Sequence, residues 1–139
     1  MMTEVEERPS MEFVVELAKV LIDHAFFSQA TFGSDADVGP LGPIKHLHEE
    51  TREVIEAPTD PVEYVDMMFL MADAVRRFLH QQNMNPYDFV RTARAKLEVL
   101  KARDWPAPKD GEPRKHIKAE PALEENTIPG EIGRGCGEV

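Results

Sequence analysis

The sequence has one cysteine, Cys136, which excludes an internal disulfide framework and any Cys-rich zinc site. That usage fits a reducing compartment. No apolar run reaches the ~18–20 residues of a membrane-spanning helix. The opening MMTEVEERPS is acidic and has no basic segment of the kind that begins a signal peptide. The expected location is the cytoplasm, without a membrane partner. Bases are in short supply, 16 Lys and Arg against 26 Asp and Glu, for a formal net charge of −10. A binder of polymeric nucleic acid needs a basic stripe, which this balance argues against. A nucleotide substrate stays open, because a bound metal ion inverts the local field.

The remaining composition is that of a globular chain, 42% hydrophobic and 30% charged. A length of 139 residues suffices for one domain with a small core. Residues 1–9 read as a flexible charged leader, residues 10–105 as an all-α domain, and 106–139 as an extended or disordered tail rich in Pro and Gly. Cys136 falls in that tail.

Four helices are expected. Ser10 is an N-cap, and Phe13, Leu17, Val20, Leu21 and His24 follow helical spacing to about Ala30. The apolar face of this helix is broad, so most of it should be buried. TFGSDADVGPLGP, residues 31–43, is a loop long enough to suggest a function. A second helix runs from about Ile44 to Ala57. Asp60 and Pro61 start a third, which runs to about Leu79. Asn85 and Pro86 start a fourth, basic helix with Arg91, Arg94, Lys96 and Lys101.

The middle of the chain, HEETREVIEAPTDPVEYVDMMFLMAD from His48 to Asp73, carries the chemistry. It holds seven acids and one base between Glu49 and Asp66. Glu50 and Glu53 are three apart on one helix, and Glu63 and Asp66 are three apart on the next. Residues so spaced share a helical face. Two antiparallel helices joined by a short turn then point four carboxylates at one space. Hard divalent cations with oxygen ligands relieve such repulsion.

Local readings compete with this. Glu63 stands at the third position of its helix, where it can complete a capping box with Asp60, and local sequence favours that role. Asp66 leads an apolar run and has no capping role. Asp73 is a further ligand, a water-positioning group, or the partner of Arg76 or Arg77. His46 and His48 are two apart and point to different faces, and both read as exposed or partly packed. No HExxH motif and no Glu-x-x-His pair is present, so zinc-protease and di-iron readings fail. The methionines at 67, 68 and 71 read as filling of a helix buried in a bundle or interface.

Glu50-x-x-Glu53 followed by Glu63-x-x-Asp66 resembles the ExxE…ExxD signature of the MazG-like all-α nucleoside triphosphate pyrophosphohydrolases. FSQATFG, GPIKHLHEE, DAVRR and the ending Lys96…Arg103-x-Trp105 are similar to the phage-type dATP/dGTP pyrophosphohydrolase branch. The resemblance spans roughly Ala25 to Trp105. It implies an all-α, four-helix fold completed by a homodimer or homotetramer. It implies hydrolysis of a purine deoxynucleoside triphosphate, dGTP or dATP, to the monophosphate and pyrophosphate, with Mg²⁺, or Mn²⁺ as a substitute. It makes Glu50, Glu53, Glu63 and Asp66 the metal ligands, with Glu50, Glu53 and the adjacent Glu49 as the catalytic acids. Lys96, Arg103 and Arg77 become phosphate-binding residues, and Phe32 and Gly33 part of the nucleotide pocket. Leu100 stands where many relatives carry Asn, so no contact from that Asn is implied. The competing class is a non-enzymatic acidic helical bundle that binds a partner protein.

Overall fold

The computed structural model describes residues 8–118. The leader up to residue 7, the tail beyond 118 and Cys136 lie outside them. The described residues form an all-α fold of helices α1 (Met11–Phe32), α2 (Leu41–Glu56), α3 (Pro61–Gln81) and α4 (Pro86–Lys101), with no strand among them. The chain divides into two compact units between Arg94 and Ala95, within α4. No helix among the described residues is long and apolar enough to cross a membrane.

The helix starts follow local chemistry. Ser10 Oγ accepts from the Phe13 N–H at 3.2 Å, and Asp60 Oδ1 accepts from the Val62 N–H at 3.0 Å. Asn85 Oδ1 accepts from the Tyr87 N–H at 2.9 Å, with Pro86 as the first helical residue. Each cap satisfies a backbone donor that has no partner inside its helix. Helix α2 begins earlier than its sequence suggests, at Leu41 rather than Ile44, with no side-chain cap. Pro43 sits in its first turn, where the missing N–H is not needed. Helix α1 runs two residues past Ala30 and stops at Gly33, whose φ of 108° suits glycine alone. Helix α3 ends beside Asn83, in the left-handed region at φ 49°, a conformation Asn tolerates.

In the first unit, α2 and α3 pack along one another, joined by residues 57–60, and α1 lies against α3. The Tyr64 hydroxyl donates to the Pro58 carbonyl at 2.8 Å and ties down the turn between α2 and α3. Among the described residues Ala74 is the one fully buried apolar side chain; the others buried are Ser28, Asp73 and Arg77. The fully buried part of the contact of α1 with α3 is therefore polar. Contrary to its pattern, the apolar face of α1 is only part-buried in the single chain, with Leu17, Leu21 and His24 half-buried. Phe13 and Val20 are exposed, and so is the opposite side of the helix at Ile22 and Phe26, Phe26 at 72%.

In the second unit, the Trp105 indole N–H donates to the Leu100 carbonyl at 2.8 Å, and the Ile117 N–H donates to the Asp104 carbonyl at 2.9 Å. The Trp105 ring meets His116 edge-on. Residues 106–118 contain no helix.

Candidate active site

The pairing of α2 with α3 brings three carboxylates together. Oxygens of Glu50, Glu53 and Glu63 lie within 4.8 Å of one another. The capping box that local sequence favours for Glu63 does not form. Its target, the Asp60 N–H, donates instead to the Ala57 carbonyl at 3.1 Å. Glu63 turns toward α2, where Glu50 and Glu53 stand. Burial among its neighbours raises the Glu63 pKa above the ordinary carboxylate value, and the charges of Glu53, Asp60, Glu50 and Asp66 raise it further. An oxygen-only donor set in mutual repulsion fits a hard divalent cation. Asp66, one turn beyond Glu63, is exposed and lies outside this cluster of three. It lines the adjoining cavity, and Glu49 is exposed on α2 beside Glu50.

That cavity has a volume of about 700 Å³. Glu50 and Asp66 are its acidic lining, with His46 beside them, and Phe27, Phe32, Val38, Phe69 and Leu70 supply its apolar wall. His24, Asp73 and Arg77 line it as well. His46 Nε2 lies 2.9 Å from Glu50 Oε1, one helical turn away.

Behind the wall runs the polar network. Ser28, fully buried, donates its hydroxyl proton to Asp73 Oδ2. Arg76 Nη1 donates to Asp73 Oδ1 at 2.7 Å, and its Nε donates to Asp35 at 2.9 Å. Burial lowers the Arg76 pKa, but the bonds to Asp35 and Asp73 outweigh this and leave it raised. Arg77, 1% exposed, donates Nη1 to the carbonyls of Gly33, Ser34 and Val38 at 2.9, 3.2 and 3.3 Å. Its Nη2 donates to Ser28 Oγ at 3.3 Å.

The hydrogen bonds of Arg77 thus hold the loop after α1, and with it Gly33, against α3; Phe32 stands on the cavity wall next to that loop. Asp73 is the partner of Arg76 and Ser28. Lys96, exposed on α4, and Arg103, half-buried just after it, belong to the second unit. Sequence reasoning missed Ser28, Asp35 and the place of His24. Ser28 left one trace, a hydroxyl inside the otherwise apolar stretch HAFFSQA.

An all-helical fold with carboxylates facing one another across α2 and α3 is consistent with the MazG-like class. More narrowly, the dATP/dGTP pyrophosphohydrolase family model matches residues 20–123, and the chain belongs to that family. It is also similar to the Eaa protein of Salmonella phage P22, with 45% identity over 118 residues, 85% of this chain and 34% of that protein. The chain spans about a third of the length of this relative. No solved structure matches.

Proposed function

We propose that the chain is a Mg²⁺-dependent hydrolase that converts a purine deoxynucleoside triphosphate, dGTP or dATP, to the monophosphate and pyrophosphate. The observation that carries this is the Glu50, Glu53 and Glu63 cluster beside a cavity of nucleoside size. Family membership supports the reaction class.

Glu50, Glu53, Glu63 and Asp66 would hold Mg²⁺, with Mn²⁺ as a substitute. When bound, the ion supplies charge neutralisation of the polyphosphate and a water of lowered pKa. Glu49, Glu50 and Glu53 would orient a water in the site and accept its proton. The water oxygen bonds to the α-phosphorus, the bond from that phosphorus to the bridging oxygen breaks, and pyrophosphate leaves with the electron pair. The aromatic wall, Phe32 included, packs against the nucleoside, and the Arg77-held loop with Gly33 keeps that wall in place. By resemblance, Lys96 and Arg103 are proposed to meet phosphate charge.

The chain is also proposed to act as a homodimer or homotetramer. The support is the exposed apolar face of α1 that carries Ile22 and Phe26, and the scarcity of buried apolar side chains among the described residues. Such a face becomes a core when a second copy covers it.

The test is a panel of the common dNTPs and NTPs with Mg²⁺, with products separated by chromatography. Monophosphate and pyrophosphate, formed fastest from dGTP or dATP and absent with Glu53→Ala, are expected. No turnover with any nucleotide, with either Mg²⁺ or Mn²⁺, would favour the partner-binding bundle.

A further inference from the structure

One side chain on the cavity has both of its polar atoms unused. His24 reaches from α1 to α3, where its ring stacks on Phe69 with centroids 4.1 Å apart and planes 7° apart. Phe27 lies tilted to it at 6.3 Å. Nδ1 is sealed from solvent, makes no hydrogen bond, and faces Asp73 Oδ1 at 3.6 Å. Nε2 has no hydrogen-bond partner among the described residues, and it is not sealed off. A histidine that served packing alone would have its polar atoms paired, as buried polar groups generally are.

Asp73 decides which nitrogen carries the proton. Its Oδ2 accepts from Ser28 and its Oδ1 from Arg76, so its position is fixed from two sides. Of the two neutral tautomers, a carboxylate oxygen beside Nδ1 favours the one with the proton on Nδ1. Nε2 then offers a lone pair to the cavity and accepts only from a ligand N–H or O–H.

Helix α3 sets the distances. Asp66 and Asp73 both line the cavity, with Phe69 between them. Seven residues of helix rise about 10 Å. A polyphosphate held at the Asp66 end leaves its nucleoside extending past Phe69 toward His24. Phe27 and Phe32, edge to face at 5.9 Å, line the same stretch.

We infer that His24 reads the nucleobase, its Nε2 accepting a hydrogen bond from an N–H on the six-membered edge of a bound purine, with Asp73 and Phe69 holding its ring in place. The inference rests on the reading of the cavity as a nucleotide site, and adds a group that contacts the base. Adenine offers its amino group there. Guanine offers a ring N–H and an amino group. Unsubstituted purine offers neither, which makes it the informative comparison.

The experiment uses nucleosides alone, without phosphate or metal. Binding of deoxyadenosine, deoxyguanosine and purine deoxyriboside to the full chain is measured by ligand-observed NMR. One neutral hydrogen bond predicts about tenfold tighter binding of one or both amino purines over purine deoxyriboside. His24→Phe keeps a ring on Phe69 and removes the acceptor, so the preference disappears while nucleoside binding persists. His24→Gln supplies an amide oxygen and recovers part of it. Should the Phe variant fail to fold, the His24 ring resonances of the wild-type protein decide: they shift with the amino purines and far less with purine deoxyriboside.

Equal preference in the wild type and His24→Phe would overturn the inference. So would the absence of nucleoside binding to the wild type, even where dNTP turnover is found, which leaves the hydrolase reading standing. A His24-dependent preference without dNTP turnover would overturn the hydrolase reading alone.

Discussion

Arg77, near the end of α3, donates to the backbone carbonyl of Gly33 at 2.9 Å and so fastens the loop after α1 to the helix that carries Glu63 and Asp66. The bond links residues forty-four positions apart. The same guanidinium holds the carbonyls of Ser34 and Val38 and faces Asp35 at 3.6 Å. Arg77→Met removes a buried charge and leaves its partners unpaired. We predict a loss of about 3–5 kcal/mol, a large fraction of the stability of a small domain. Arg77→Lys will not rescue it, because an ammonium cannot reproduce the planar fork. Urea unfolding followed by circular dichroism measures both, and a loss below about 1 kcal/mol would contradict the assigned role.

Gly33 stands at φ 108° and ψ 151°, a region essentially confined to glycine. A Cβ there would also lie 2.6 Å from Val38 Cγ2. Gly33→Ala is predicted to cost about 1–3 kcal/mol. Adding Val38→Ala relieves the side-chain clash and leaves the backbone strain, so the double variant stays less stable than Val38→Ala alone. Thermal melting of the set separates the two causes.

Local chemistry made the helices legible and left the network hidden. Ser10, Asp60 with Pro61, and Asn85 with Pro86 mark three starts because each cap is settled within a few residues. The start of α2 is hidden in the sequence because Pro43 reads as a breaker, although a first turn accepts proline. Glu63 shows the limit of local reasoning. Its neighbours favour a capping box, but the Ala57 carbonyl takes the donor that box requires. Ser28 and Asp73 meet across forty-five residues, and Arg76 and Asp35 across forty-one. No spacing rule connects such pairs; only the docking of α1 on α3 does. The acids Glu50, Glu53 and Glu63 were legible because each lies at i,i+3 within a helix and a short turn brings the two helices together.

Glu63 gives the metal-free protein a pH dependence with a definite sign. Its folded pKa is raised above its ordinary value of 4.5. The folded chain therefore binds more protons than the unfolded chain between those two values, and stability falls as pH rises through that window. Above the window the repulsion is fully present. Glu63→Gln should melt higher than wild type at neutral pH without metal. Mg²⁺ should raise the wild-type melting temperature and leave that of the variant nearly unchanged. Calorimetry with Mg²⁺ and with chelator checks this; equal metal-induced shifts in both proteins would contradict it.

The exposed face of α1 predicts self-association. Sedimentation velocity at micromolar concentration should show a dimer or larger. Phe26→Glu, at a residue 72% exposed in the single chain, should shift the population toward monomer. A wild-type protein that sediments only as monomer would contradict the proposed assembly.

The central claim is attack of water at the α-phosphorus by the site built on Glu50, Glu53 and Glu63. Hydrolysis of dGTP or dATP in heavy-oxygen water tests it most directly. The account predicts that the heavy oxygen appears in the nucleoside monophosphate, that pyrophosphate is unlabelled, and that Glu53→Ala abolishes turnover while remaining folded. Label in the pyrophosphate, or release of labelled orthophosphate, would contradict it.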